Sequence, residues 1–348
     1  MEKRSYRTFR YLFLSLCLIL AAGCIFQLIV MLDWWRKPSV DPYLPVYVNI
    51  DSGSSLTQIT ERLQQDGVIQ HPHYFIFLVR LQNAGHALKA GEYLFAPGLT
   101  PEQIFQQLRS GKVMQHAVTL VEGWTFKQFM QNLAAQPLLI HDLKDLTPEQ
   151  IMAKMGSKKT QPEGLFFPNT YFYVRGVPES QILNKAYQSM QVKLNKEWQT
   201  QQQNLPYKTP YDALIAASII EKESAIASER LLISSVIVNR LNIAMPLQMD
   251  PTVIYGLGAS FNGNITSKDL KQDTAYNTYL HTGLPPTPIA MPGGDAIFAA
   301  LHPASTKFLY FVAEGDGTGK HNFSESLAEH TQAVKAYLKQ IQQKSSSL

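Results

Sequence analysis

GSSLTQITERL, residues 53–63, sets out a pattern that the chain writes twice more, as GLTPEQIFQQL at 98–108 and GWTFKQFMQNL at 123–133. In each copy a glycine opens a turn and Ser55, Thr100 or Thr125 stands at a helix N-cap. Gln58, Gln103 or Gln128 then falls three residues later, where a capping box needs it. The apolar residue after each glutamine and the leucine four further on share one helical face: Ile59 and Leu63, Ile104 and Leu108, Phe129 and Leu133. Pro101 suits the first position of its helix. Strand-like runs precede the copies at 47–50, 91–95 and 117–121. The spacing predicts a unit of strand, tight turn and capped helix, and with it a small α+β domain over residues 45–117.

Upstream, YLFLSLCLILAAGCIFQLIVML at 11–32 carries no charge, and at 1.5 Å per residue it covers a bilayer core of roughly 30 Å. It is too long for the apolar region of a cleavable signal peptide. The expectation is one transmembrane helix behind a basic tail at 1–10, with a linker at 33–44 stiffened by Pro38 and Pro42. A lipoprotein-type site at Ala21-Ala22-Gly23-Cys24 is the rival reading, but residues 25–32 continue apolar except for Gln27. The positive-inside rule puts the tail in the cytoplasm and everything beyond Asp33 outside, with Trp34 and Trp35 as interface anchors.

The 348 residues carry a formal net charge of +4. Lys3, Arg4, Arg7 and Arg10 stand against Glu2, so most of that excess lies in the tail. The basicity is therefore topogenic and argues against a nucleic-acid partner. Both cysteines, Cys17 and Cys24, fall in the apolar span, which leaves the rest of the chain without a disulfide, a thiol nucleophile or a thiolate zinc site. Neither an HExxH pair nor a GxxxxGK[ST] loop occurs, so no metal or nucleotide cofactor is expected.

Residues 118–348 read as a second, larger α+β domain. LFFPNTYFY at 165–173 is rich in aromatic rings, which suit either the apolar face of a sugar or a plain core. DALIAASIIEKESAIASERLLISSVIVNRL at 212–241 reads as helical. Glu221 and Glu223 lie about 200° apart on such a helix and cannot form a facing dyad. One of them is expected to face solvent or an ion pair with Lys222 or Arg230, the other a cleft.

Further segments follow in order: EGLFFPNTYFY at 163–173, ASIIEKESAIASER at 217–230, VNRL, LQMDPTVIYGLG, AYNTYLHTGLPPTPIAMPGG, AALHPAST, LYFVAEGDG and HNFSESLAEH. With VNIDSGSSLTQITERLQQDGVIQHPHYFIFLVRL and LKAGEYLFAPGLTPEQIFQQLRSGKV, the chain resembles the MltG/YceG-type endolytic murein transglycosylases over nearly its whole length. The resemblance implies an α+β architecture: an N-terminal transmembrane helix, a small LysM-like βααβ domain at 45–117 and a larger α+β catalytic domain at 118–348. It implies cleavage between N-acetylmuramic acid and N-acetylglucosamine within nascent strands, leaving 1,6-anhydro ends and ending strand elongation, with no cofactor. The Glu223-Ser224 pair resembles that of lytic transglycosylases and marks Glu223 as the single acid and base, with a pKa raised by burial.

Candidates for holding substrate are Gln248, Asp250, Tyr255, Tyr276, Asn277, Tyr279, Ser305, His321 and Phe323. The implied partners are peptidoglycan strands and their synthases or penicillin-binding proteins; the implied location is the inner (cytoplasmic) membrane with a periplasmic catalytic domain. Two positions depart from the family pattern: Asn169, usually Asp, and Met291, often Asn or Thr. A hydrolytic muramidase using Asp250 as second carboxylate, and a non-catalytic glycan-binding scaffold, are the alternatives.

Overall fold

The computed structural model describes residues 2–224 and 226–345. The chain divides into two compact units, residues 1–116 and 117–348. The first contains α1 (Glu2–Trp35), β1 (Val46–Ile50), α2 (Leu56–Gln65), α3 (Pro72–Leu81), β2 (Gly91–Phe95) and α4 (Pro101–Ser110). Strands β1 and β2 pair antiparallel, with Val48 opposite Tyr93. The period of two then turns Val48, Ile50, Tyr93 and Phe95 into the core, where Leu63, Phe75, Ile104, Phe105 and Leu108 close over them. Ser55 and Thr100 both form reciprocal capping boxes with Gln58 and Gln103, each worth about 1 kcal/mol. Gly111 ends α4 in the left-handed region, φ 72°, where a side chain would be strained.

Helix α1 includes an apolar stretch, Phe9–Trp35, long enough to cross a bilayer. It outruns the 11–32 span, and its last turns pack into the first unit: Met31 and Trp35 are buried, and the Trp35 ring lies 5.5 Å from Phe75 and 5.9 Å from Phe105. Ser39 and Val40 then donate backbone N–H groups to the Leu99 carbonyl. The first part of the 33–44 segment is thus packed against the unit instead of running free.

The second unit contains β3 (His116–Leu120), α5 (Phe126–Ala134), α6 (Pro148–Lys154), β4 (Asn169–Tyr173), α7 (Glu179–Gln199), α8 (Pro210–Glu223), α9 (Arg230–Asn242), α10 (Asp250–Leu257), α11 (Gly294–Leu301), β5 (Tyr310–Ala313), β6 (His321–Ser324) and α12 (Leu327–Ser345). The strands form two-stranded sheets, β3 with β4 and β5 with β6. The third capping box, at Thr125, is present, and two more occur at Thr147 and Thr209, where no glycine precedes them in the repeat's position. Most of the aromatic run is core: Phe166 is fully enclosed and Tyr171 and Tyr173 are buried, while Phe172 points to solvent.

Helix α8 sits at the centre, against α7, α9, α10 and α11. Every residue from Ala213 to Ile220 is buried, as a helix apolar all round requires. The single helix expected over 212–241 is broken after Glu223. Ser224 is extended (φ −141°, ψ 131°), its hydroxyl accepts the Ile226 N–H at 3.0 Å, and a 3-10 turn at Ala227–Glu229 precedes α9. A serine that bonds its own neighbouring backbone competes with helical continuation, which is the physical reason for the break.

The Phe166 ring stacks 5.4 Å from Phe126 with no exposed surface. Phe166→Ala is expected to destabilise the chain by about 3–5 kcal/mol, read as a lowered midpoint in chemical unfolding of the detergent-solubilised protein.

Candidate active site

Glu223 is the last residue of the buried central helix. Its Oε1 is enclosed and has no hydrogen-bond partner among the described residues. Burial, and then the charge of Asp250, push the carboxyl up to about 8, against a smaller opposing pull from Arg240. The helix C-terminus acts in the same direction, since the negative end of the macrodipole disfavours a carboxylate. Glu221, two residues earlier, has the other fate: it accepts Arg230 Nη2 at 3.1 Å and the Gly293 N–H at 2.9 Å. Of the two expected cationic partners, Arg230 takes Glu221, and the Lys222 ammonium instead reaches the Gly123 carbonyl at 3.3 Å.

Glu223 opens onto a cleft of about 400 Å³ that Arg240, Gln248, Asp250, Tyr279 and His330 also line. Asp250, exposed at the start of α10, accepts the Tyr279 hydroxyl at 2.6 Å; burial and this bond together raise the phenol's pKa. Gln248 occupies the left-handed region at φ 51°, a strained turn for a non-glycine residue. The turn is held by the Gln248 N–H on the Thr278 carbonyl and the Met249 N–H on Thr278 Oγ1, both at 3.0 Å.

Arg240 is buried and tethered to carbonyls: Nε to Leu309 at 2.6 Å, Nη1 to Leu247 at 2.6 Å and to Pro246 at 3.2 Å. Its Nη2 has no protein acceptor among the described residues. His330, on α12, stacks on Tyr310 at 5.1 Å and has a buried Nδ1 without a partner among those residues. Burial, and then the Arg240 charge, lower its pKa and favour the neutral imidazole. An enclosed acid beside an unfilled donor and an unpaired ring nitrogen suits a neutral, polar ligand that supplies the missing hydrogen bonds.

The structure brings Glu223, Gln248, Asp250 and Tyr279 together and places the other sequence candidates elsewhere. Tyr255 and Tyr276 meet edge to face at 4.8 Å in a separate cluster. There Tyr255 donates to Glu163 at 3.0 Å and Tyr276 pairs with Thr287 at 2.8 Å. Asn277 is fully buried; its amide serves the Leu270 and Gln272 carbonyls and its oxygen the Tyr279 N–H, so it shapes the turn that presents Tyr279. Ser305 is exposed outside the cleft. His321 is occupied by Glu229, through its backbone N–H at 2.9 Å and Nδ1 at 2.7 Å. Phe323 packs against Phe308 and against the cleft residue Phe311. Asn169 opens β4, with Oδ1 on the Thr170 N–H, and Met291 is buried with its backbone paired to Gly123 and Trp124.

Sequence reasoning missed Arg240, His330 and Glu163. The available signals were slight: Arg240 is the one charge in ISSVIVNRL, while His330 closes HNFSESLAEH and Glu163 opens EGLFFPNTYFY. Glu163 is buried, accepts the Phe126 N–H at 2.9 Å, and is pushed up to about 7 by burial.

Two carboxyls thus keep their protons in the folded chain to about 7 and about 8, well above the ordinary glutamate value of 4.5. The folded state binds more protons across that window, so stability is greatest below it and falls as pH rises through it. Thermal unfolding is expected to shift downward from about pH 5 to about pH 9. Glu223→Gln, which has no charge to bury, is expected to flatten the upper part of that decline and to be the more stable form at about pH 9 by about 1–3 kcal/mol. A wild-type profile as flat as the variant's would contradict the burial of an ionisable acid.

Known proteins resemble the chain in sequence and in fold. An endolytic murein transglycosylase of Bacillus subtilis (strain 168) is 32% identical over 317 residues, covering 86% of this chain and 86% of that protein. One of Streptococcus pneumoniae serotype 2 (strain D39) is 27% identical over 358 residues, covering 92% of this chain but 64% of that longer protein. A crystal structure of a YceG-like protein from Listeria monocytogenes superposes with a TM-score of 0.54 at 33% identity, covering 83% of this chain and 99% of that one. The YceG-like family model matches residues 48–336, most of the chain, and the chain belongs to that family.

Proposed function

We propose that the chain is a membrane-anchored lytic transglycosylase of peptidoglycan in which Glu223 serves as both acid and base. The observation that carries this reading is the enclosed Glu223 Oε1, without a protein partner and on a carboxyl pushed up to about 8. Such a group is protonated at neutral pH and can donate to a glycosidic oxygen. The names of the Bacillus and Streptococcus relatives support murein as the substrate.

In the proposed reaction Glu223 protonates the oxygen that leaves with N-acetylglucosamine, and the bond from that oxygen to the muramic anomeric carbon breaks. The Glu223 carboxylate then takes the proton of the muramic 6-hydroxyl, whose oxygen closes on the anomeric carbon. The proton ledger balances without water, and the product is a 1,6-anhydro end. Arg240 steadies the transient carboxylate, and Asp250 offers negative charge to the oxocarbenium-like centre. Gln248, Tyr279, His330 and Arg240 Nη2 hold hydroxyl and acetamido groups. Tyr255, Tyr276, Asn277, His321 and Phe323 shape the walls behind them.

Helix α1 is proposed to span the inner membrane with the second unit on the periplasmic side, and residues 45–117 to form a LysM-like domain. That tether gives access to strands beside their synthases, which makes glycan polymerases or penicillin-binding proteins the expected partners.

The test is mass analysis of muropeptides released from purified peptidoglycan by the full chain and by Glu223→Gln. Wild type is expected to leave ends one water lighter than hydrolysis would, the variant to lose about 10²–10⁴ of the rate, and activity to fall above about pH 8 as the acid loses its proton. Reducing ends would instead favour the hydrolase, for which Asp250 in the same cleft is the available second carboxylate.

A further inference from the structure

Helix α3 carries two apolar stripes. Phe75, Leu78 and Val79 enter the core of the first unit. Tyr74, Phe77 and Leu81, at i, i+3 and i+7, form a second stripe, on which Phe77 is 51% and Leu81 67% exposed. Isolated exposed apolar side chains are ordinary. This stripe is distinguished by what its first member touches.

The Tyr74 hydroxyl accepts Gln27 Nε2 at 2.6 Å, and the Tyr74 ring lies 5.8 Å from Trp34. Trp34 also meets His71 edge to face at 5.6 Å. Gln27 lies inside the apolar stretch of α1, six residues before Asp33. That is roughly 9 Å of helix below the first charge on that side. A hydroxyl reaching this depth brings the start of α3 down to the level of the lipid, and the exposed apolar stripe continues from it. Tyrosine and tryptophan at this level are the side chains that suit a headgroup boundary, with one end apolar and the other wet.

We infer that the Tyr74, Phe77 and Leu81 face of α3 rests in the surface of the bilayer from which α1 emerges, so that the first unit is seated on the membrane. The occupant of the face is lipid, in continuity with the lipid around α1. The inference rests on the proposed span. Seating would fix the height of the first unit at the membrane surface, independently of the chemistry at Glu223.

The test uses the full chain in phosphatidylethanolamine–phosphatidylglycerol nanodiscs, with Cys17→Ser and Cys24→Ser removing the native thiols. A bimane label is placed singly through Phe77→Cys, Leu81→Cys, Leu18→Cys in the span, or Glu61→Cys on the exposed side of α2. Quenching is then measured with lipids bearing a nitroxide high on the acyl chain. The inference expects labels at 77 and 81 to be quenched about threefold more than the label at 61. Quenching at 18 alone, with 77 and 81 at the level of 61, would overturn the seating and leave the anchor standing. No quenching at 18 would overturn both. Recovery at 77 and 81 on adding a second, unlabelled copy of the chain would assign the face to self-association and also overturn lipid as its occupant.

Discussion

Everything at the site hangs on the burial of α8. A helix enclosed on all sides has no solvent-facing stripe to absorb movement, and its small residues, Ala213, Ala216, Ala217 and Ser218, let four neighbouring helices approach closely. Ser218 also ties the segment that leads into α11 to this helix, accepting the Ile289 N–H at 3.0 Å while donating to the Ile215 carbonyl. A close-packed interior transmits position, so the end of α8 is fixed by the whole second unit and not by a loop. The carboxyl of Glu223 therefore stands where the core puts it.

Two glutamates and two arginines divide the electrostatics. Arg230 reaches Glu221 directly, and the Gly293 N–H gives that carboxyl a second partner. Arg240 is as deeply placed, but its Nε and Nη1 are spent on the Leu309, Leu247 and Pro246 carbonyls, and it makes no ion pair with Glu223. It therefore lowers the Glu223 pKa by less than burial and Asp250 raise it. One carboxyl is held by two partners and the other keeps an enclosed oxygen with none among the described residues, a division that suits one structural and one chemical role. The same tethering leaves Nη2 over for a ligand, so a single arginine tempers the acid and offers a donor beside it.

What the sequence discloses depends on how far apart the partners lie. The capping boxes at Ser55, Thr100 and Thr125 were readable because hydroxyl and glutamine stand three residues apart and no tertiary contact is needed. Thr147 and Thr209 use the same chemistry without a glycine two residues before them, so the glycine-led pattern does not extend to them. The opposite pointing of Glu221 and Glu223 followed from helix geometry alone. The break at Ser224 did not, because residues on both sides are good helix formers and a local hydroxyl contact decides the matter. Among the histidines, His321 carries the busier sequence context, yet Glu229 occupies it, and His330 nine residues later reaches the cleft. No local pattern separates the two, since the difference lies in which side of the β5–β6 pair and α12 meets Arg240 and Tyr310. Asn277 and Tyr279 make the same point within one tetrapeptide: the amide closes the turn and the phenol is what the turn presents.

The cluster around Glu163 shows how a residue outside the cleft bears on it. Helix α10 begins with Asp250, which the Tyr279 hydroxyl holds at 2.6 Å. Five residues on, the same helix is held by Tyr255, whose hydroxyl reaches Glu163, and Glu163 in turn accepts the N–H of Phe126 at the start of α5. One short helix is thus pinned at both ends, at Asp250 by a phenol and at Tyr255 by the Glu163 carboxyl. Phe126 also stacks on Phe166, which follows Glu163 by three residues, so the pin is rooted in the aromatic core. The run LFFPNTYFY then acquires a part in the site without touching substrate. Its rings fill the core that holds Glu163, Glu163 holds α10, and α10 holds the charge that helps keep a proton on Glu223.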